Sequence, residues 1–341
     1  MSRDAFENAW RVREVVFAAD GHPLGEVHQR RHLRQEDGGA MRVIQDCAPG
    51  PELDGHPMAR FAGHHEFSLV REGAFRRYLG PAVVGSATAL GEGAMVGRGL
   101  WPVFGWSFSS WSVLVAPDRQ LTGGRFFRGD HGMATVVGIA SPEGTTGGEA
   151  PRYGRQFAPW TLARTWVGSF VRVNGRGEPL AVGTRRRRYD GEDELHSVTL
   201  SPVTVSPVTF SPVTVSPVTV SSVTFSSGPS GPSGLRWTDE ETETLEDVRD
   251  LQGSGGHAFT MVPLGGAWSV RGEGRDGGMA GFLQGYGPMM AGELVVGRKD
   301  VQEWLEVFDE EGSNLVALRK RYDDGLLVEA EVWRLKPEDG P

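Results

Sequence analysis

A single cysteine, Cys47, stands in the 341 residues, which excludes an intramolecular disulfide framework. No CxxC or Cys/His spacing surrounds it to suggest a metal or redox site. No stretch approaches the roughly 18 consecutive apolar residues of a membrane-spanning helix. The first ten residues carry Arg3, Asp4 and Glu7 and no apolar run, so they do not form a secretory signal. A cytoplasmic protein with no membrane span is therefore expected. Positive charge is also scarce, with 35 Lys and Arg against 44 Asp and Glu, a formal net charge of -9. A nucleic-acid binder needs a basic face, and the one basic run, Arg185 to Arg188, is followed at once by Asp190, Glu192, Asp193 and Glu194. Nucleic acid is thus excluded as an expected partner. Missing as well are GxSxG, GxxxxGK[ST], HExxH and a dinucleotide GxGxxG behind a strand, so no cofactor and no metal are expected.

Glycine, by contrast, is abundant: 49 residues, about twice the usual share, set between short apolar runs. That is the spacing of turns in an all-β chain. Short strands follow one another from Trp10 as a meander, through Arg11 to Ala18, Gly25 to Leu33 and Met41 to Asp46. The most informative stretch runs from Gly91 to Arg128. Phe104, Trp106 and Phe108 fall on one side of a pleated strand and Gly105, Ser107 and Ser109 on the other, which is period 2. At Ser109-Ser110 the apolar parity shifts to Trp111, Val113 and Val115, so a bulge is expected there. Ala116 to Arg119 reads as a turn, and Gln120 to Phe127 as a return strand. The aromatic side chains Trp101, Phe104, Trp106, Phe108 and Trp111 are the candidate ligand-binding wall, with the small face leaving space beside them.

The chain also repeats itself. Ala9-Trp10-Arg11-Val12-Arg13 resembles Ala267-Trp268-Ser269-Val270-Arg271, and Tyr78 with Gly80-Pro81 resembles Tyr286-Gly287-Pro288. Gly91-Glu92 with Val96-Gly97-Arg98 resembles Gly292-Glu293 with Val296-Gly297-Arg298, and Trp111 with its hairpin resembles Trp304 to Phe308. The order is kept throughout, which implies an internal duplication. Between the copies lies a Ser-Pro-Val-Thr-Val repeat, whose odd period and prolines suit an extended coil rather than a central strand. Three parts follow: an N-terminal β-barrel-like domain over 1–198, a low-complexity linker over 199–234, and a smaller, degenerate copy over 235–341. A short helix is expected at its head, capped by Thr238 with Glu241 and closed at Gly253; Pro159 to Trp166 is a second helical candidate. The fold class is all-β, with two related antiparallel barrel-like units and one short helix between them.

Histidines are the remaining candidates for chemistry. Glu26, His28, Arg30, His32 and Arg34 share one strand face, which reads as solvated. His64 and Glu66 share a face two residues apart, where a carboxylate beside an imidazole can act as a general base; a structural histidine is the plainer reading. Arg98, if aimed into the aromatic cavity, would receive an anionic or carbonyl group. His64, Glu66 and Arg98 are accordingly the candidate catalytic residues. The Trp-rich strand Trp101 to Val115, its Pro-Asp turn and the return strand ending in Arg128-Gly129-Asp130, echoed at Trp304 to Gly325, resemble the lipocalin-like (calycin) tandem barrels of the carotenoid-hydratase and cyclase type. Asn8-Ala9-Trp10 stands where a lipocalin would have Gly-x-Trp, and no catalytic residue carries over. The resemblance implies a hydrophobic small-molecule ligand, bound or isomerised, hydrated or cyclised without a cofactor. The other reading is a non-catalytic interaction protein whose partner is met by the repeat and acidic segment over 199–252.

Overall fold

The computed structural model describes residues 5–36, 39–91, 93–144, 165–190, 235–243, 257–264, 267–274, 277–296, 300–309, 313–324 and 326–338. Ten strands form a first closed barrel: β1 Ala9–Phe17, β2 Pro23–Gln35, β3 Met41–Pro49, β4 Gly63–Glu72, β5 Phe75–Leu79, β6 Val84–Ala89, β7 Ala94–Trp101, β8 Trp106–Ala116, β9 Arg119–Arg128 and β10 His131–Pro142. Ten more close the second: β11 Thr165–Asn174, β12 Pro179–Asp190, β13 Leu235–Glu243, β14 His257–Leu264, β15 Ala267–Gly274, β16 Gly277–Tyr286, β17 Met289–Val296, β18 Asp300–Phe308, β19 Leu315–Asp323 and β20 Leu326–Pro337. Each strand pairs with its neighbours in sequence, antiparallel, and the last pairs with the first (β1 with β10, β11 with β20). Closure removes every exposed sheet edge. No α-helix occurs among the described residues; two 3-10 turns, Pro51–Leu53 and Pro57–Phe61, bridge β3 and β4.

Several expectations change. The segment from Thr238 is not the head of a helix: through Glu243 it is strand β13, and residues 244–256 lie outside the described residues. Its ladder explains the override. The register sets Arg185 opposite Glu241, Arg186 opposite Glu240 and Arg187 opposite Asp239, and pairing with β12 on one side and β14 on the other closes the barrel, which a helix preference of a few tenths of a kcal/mol per residue does not offset. Thr165 and Trp166 open strand β11, while 159–164 fall outside the described residues. β11 and β12, grouped by sequence with the first unit, are walls of the second barrel. The repeat tract, outside the described residues, falls in sequence between β12 and β13, two paired strands of one barrel.

No bulge occurs at Ser109-Ser110: β7 and β8 pair without interruption from Ala94↔Val113 to Trp101↔Trp106. The parity shift has another cause. Trp106 and Phe108 point into the first barrel, whereas Trp111 and Val113 point out of it, into a cluster shared by both barrels. Val15, Val96, Trp111, Leu121 and Val137 of the first barrel pack there with Ala291, Leu305, Val307, Val316 and Val332 of the second. Both faces of β8 are buried, the inner one aromatic at Trp106 and Phe108 and then polar at Ser110 and Ser112, the outer one apolar at Trp111 and Val113. Polar groups also cross the seam: Lys320 Nζ lies 2.8 Å from Glu303 and donates to Ser109 Oγ at 2.6 Å, Arg125 lies 3.4 Å from Glu293, and Gln284 Nε2 donates to the Asp20 carbonyl at 2.9 Å.

The two barrels have the same strand order, but the sequence matches fit it unevenly. Gly292 lies on the seventh strand β17, whereas Gly91 lies in the turn before the seventh strand β7; Gly297 and Arg298 lie outside the described residues. Trp10 is on the first strand of its barrel and Trp268 on the fifth, so that match is displaced. Trp111 faces outward and Trp304 inward, each on an eighth strand.

Leu305, 3% exposed, lies in the shared cluster. Leu305→Ala should lower stability by about 2–5 kcal/mol and move a single urea transition of the whole protein. Two separate transitions, only one of them shifted, would show that the barrels do not share a core.

Candidate functional site

The alternation of each strand decides what lines the first barrel. On β1, Trp10, Val12 and Val16 are buried and Glu14 falls among them; on β2, the face opposite His28, Arg30 and His32 carries Val27, Gln29, Arg31 and Leu33. These faces enclose a cavity of about 130 Å³. At one end its wall is aromatic, with Phe61, Phe67, Tyr78, Trp101, Phe108 and Phe126. The rings meet largely edge to face: Phe61 and Trp101 have centroids 4.8 Å apart at 73°, Tyr78 and Phe108 5.9 Å apart at 77°. The turn Pro57–Phe61 sends Met58 and Phe61 into the wall. A ring nitrogen of His65, 3.0 Å from the Phe61 carbonyl oxygen, ties the turn to β4.

The remaining wall is polar. Gln29 Nε2 donates to Glu14 at 2.5 Å, and Gln29 Oε1 accepts from Gln45 Nε2 at 2.8 Å and from Arg31 Nη2 at 2.9 Å. Strand register builds this cluster, since Arg31 pairs with Gln45 and Gln29 with Cys47. Gly138 on β10 sits opposite Glu14, and a Cβ there would lie 2.5 Å from Glu14 Cγ, so the glycine is what gives the carboxyl its place. Burial pushes the Glu14 carboxyl above its ordinary 4.5, against the opposing pull of Arg31, whose Nη2 is 4.0 Å away, and of the Gln29 hydrogen bond. Desolvation wins because the guanidinium stands beyond hydrogen-bond reach. The Cys47 thiol, buried beside Gln45, is pushed up to about 12 and stays protonated. Tyr78, hydrogen-bonded to Ser110, is likewise raised by burial.

The candidate residues from sequence divide. Trp101 and Phe108 line the cavity. Phe104 and Trp106 back it: the Trp106 ring stacks on Phe61 at 6.2 Å, Phe104 lies 4.8 Å from Trp106, and Arg60 covers both. Trp111 borders the cavity but packs in the cluster between the barrels. The open space lies on the aromatic face itself, not beside Gly105 and Ser107, because the rings point inward. His64 and Glu66 do come together, with His64 Nε2 3.9 Å from Glu66 on β4, but outside the cavity, and Arg98 does not join them. His64 is exposed and lies 2.7 Å from Asp46; Glu66 accepts from Arg42 at 2.6 Å. Arg98 does not enter the cavity, lying 5.4 Å over the Tyr322 ring in a cleft between the barrels. Among the described residues no group of three or more His, Cys, Asp and Glu is placed to hold a metal. Glu14, Gln29, Arg31 and Gln45 line the cavity too and belong to no catalytic or binding motif in the sequence.

The second barrel is filled differently. Arg185 lies 3.3 Å over the Trp333 ring, and Arg319 lies 3.8 Å over Trp304 and 3.9 Å over Trp333. Arg187 donates to Glu306 at 2.5 Å, and Glu331 accepts from Arg172 at 3.1 Å and Arg185 at 3.4 Å. Arg185 and Arg187, expected to be balanced by the acidic residues after them, are buried within the barrel, while Arg186 pairs with Glu338.

The chain matches no protein-family model and no curated protein sequence. Among solved structures, a protein of unknown function from the DUF3598 family of Nostoc punctiforme is similar over 99% of this chain and 100% of its own, at 11% identity and a TM-score of 0.56. That likeness is one of fold. An S-type phycobiliprotein lyase from Guillardia theta covers 42% of this chain and 90% of its own (10% identity, TM-score 0.32). Kievitone hydratase from Nectria haematococca covers 98% and 90% (8% identity, TM-score 0.17). At those scores neither of the latter two carries weight. No helix among the described residues is long and apolar enough to cross a membrane.

Glu14 makes stability depend on pH with a definite sign. Below about 4.5 the carboxyl is neutral folded and unfolded; as pH rises toward its raised folded value only the unfolded chain ionises, and stability is lost. Glu14→Gln removes that loss. The stability of the variant minus that of the native protein should therefore grow as pH rises above about 4.5 in urea titrations. A difference that stays constant would mean that Glu14 is not held neutral.

Proposed function

We propose that the first barrel binds a hydrophobic small molecule. The observation that carries this reading is the cavity itself: about 130 Å³ of space remains in the first barrel between an aromatic wall and a small polar cluster. Interiors are ordinarily packed with few voids larger than a water molecule, and apolar walls with a few convergent polar groups are the usual form of a ligand site. The second barrel supplies the contrast, with arginines stacked on Trp304 and Trp333 in its interior.

Chemistry on the bound molecule would be of the cofactor-free kind: isomerisation, hydration or cyclisation. Edge-to-face aromatic walls hold one conformer of a ligand, and Glu14 is the one carboxyl lining the cavity among the described residues. A neutral buried carboxyl can give a proton. His64, Glu66 and Arg98 have no part in this reading, because none of them lines the cavity.

Native mass spectrometry of protein purified gently from its host, before and after denaturation, tests the binding. A stoichiometric small molecule should be released on unfolding. Val43→Phe, which places a ring in the cavity from β3, should carry none while keeping its β circular dichroism. A ligand retained by that folded variant would place the binding elsewhere.

A further inference from the structure

A second space lies outside both barrels. Where β5, β6 and β7 of the first meet the β11–β12 turn and strands β19 and β20 of the second, they bound a cleft of about 620 Å³, within the range of sites that take small organic molecules. Part of its wall is apolar: Phe75 and Val96 from the first barrel, Leu326, Leu327 and Val328 from the second. The rest depends on the turn from Asn174 to Glu178. Asn174 Oδ1 accepts from the backbone N–H of Arg176 at 2.9 Å and of Glu178 at 3.0 Å, which folds the chain tightly around Arg176. Glycines flank it on both sides. Gly175 N–H donates to the Val328 carbonyl at 2.9 Å, and a Cβ on Gly175 would lie 1.9 Å from the Leu327 carbonyl oxygen. Gly177, at φ +80°, seats against the first barrel, where a Cβ would meet Ala74 Cβ at 2.5 Å. The turn is thus held to β20 on one side and to the first barrel on the other, with Arg176 at its tip lining the cleft. From the first barrel comes Arg98, exposed and lying 5.4 Å over the Tyr322 ring.

Charge decides the class of guest. Four charged residues line the cleft among the described residues: Arg98, Arg176, Lys320 and Glu178. Lys320 is neutralised from behind, its Nζ 2.8 Å from Glu303, which does not line the cleft. Two cations, Arg98 and Arg176, then stand against one anion, Glu178, whose carboxylate already accepts from Asn174 Nδ2 at 2.6 Å. One positive charge is left over, in a chain of formal charge -9. Among the described residues no hydrogen bond or ion pair engages the Arg176 guanidinium.

We propose that this cleft binds an amphipathic organic monoanion, its acidic head at Arg98 and Arg176 and its hydrocarbon against Phe75, Val96 and Leu327. Guanidinium groups suit a carboxylate or phosphate head, which their planar forks meet with two parallel hydrogen bonds. The site does not depend on the first-barrel cavity having a guest; of the lining residues only Gly97 is common to both.

Octanoate and 1-octanol share a chain and differ in the charged head. In isothermal titration calorimetry at about pH 7, where a carboxylic acid is ionised, the native protein should bind octanoate roughly tenfold more tightly than octanol, the worth of about one charge-assisted hydrogen bond. The octanoate affinity should fall as salt is raised. Arg98→Met and Arg176→Met, both at exposed positions, should each weaken octanoate about three- to tenfold and leave octanol unchanged. Glu178→Gln, which removes the one carboxylate of the wall, should strengthen octanoate. Val43→Phe, which fills the first-barrel cavity, should change neither. Octanol bound as tightly as octanoate would overturn the assignment, as would a preference for octanoate that survives the Arg98→Met/Arg176→Met double variant, or no binding of either compound. Loss of octanoate from Val43→Phe would overturn it too, by placing the anion inside the first barrel and leaving the cavity reading standing.

Discussion

Everything else in this protein is arranged around the seam where the two barrels meet. An up-and-down barrel solves the edge problem by closing on itself, and its outer wall is then normally free to be polar. Here part of each outer wall is apolar, and the cluster that contains Trp111, Leu121 and Val137 continues without a break into Leu305, Val316 and Val332. A fully buried aliphatic side chain contributes about 1.5–3 kcal/mol, so a seam made of many of them binds the two units into one folding body. The charges admitted to it are paired, Lys320 with Glu303, as burial demands. Strands at the seam alternate between an outer apolar face, as with Trp111, Val113 and Leu121, and an inner face that also admits polar side chains such as Ser112, Gln120 and Thr122, because neither face meets water.

With the outer faces committed to each other, the difference between the barrels lies inside. The second is packed with guanidinium planes laid on Trp304 and Trp333 and balanced by Glu306 and Glu331. Arginine suits that task, since its flat, weakly hydrated head stacks on rings and pairs with carboxylates at once. The first keeps space instead, lined by polar residues from β1, β2, β3, β8 and β9 and by rings near the turn Pro57–Phe61. One strand order thus yields, among the described residues, one interior occupied by stacked arginines and one that keeps space for a guest.

Much of this was legible in the sequence, and what was not has physical causes. Trp106 and Phe108 do share one face of a strand, the inner one, whereas Phe104 sits in the turn between β7 and β8. The change of parity at Trp111 looked like a bulge because a strand whose apolar side chains pass from the inner face to the outer one reads as a slip when only one core is imagined. Glu14 was visible in principle: a single carboxyl among Trp10, Val12 and Val16 on one face of β1 is an anomaly of period 2. Gln29 and Arg31 were overlooked because the opposite face of β2, with His28, Arg30 and His32, carries the more conspicuous side chains, and conspicuous residues there are merely solvated. His64, Glu66 and Arg98 drew notice by type, yet the pleat turns all of them away from the cavity. The segment at Thr238 shows the reverse failure: a capping box and an acidic first turn are local signals, and a barrel that needs one more strand opposite an arginine run overrides them.

The central claim, that the first barrel and not the second is the receptive one, can be tested directly by intermolecular NOE spectroscopy on the protein saturated with benzene. Cross-peaks from benzene to ring protons of Phe61, Trp101 and Phe108, with none to Trp304 or Trp333, are the expected result. Cross-peaks to Trp304 and Trp333 in their absence at Phe61, Trp101 and Phe108 would contradict it and move the site to the second barrel.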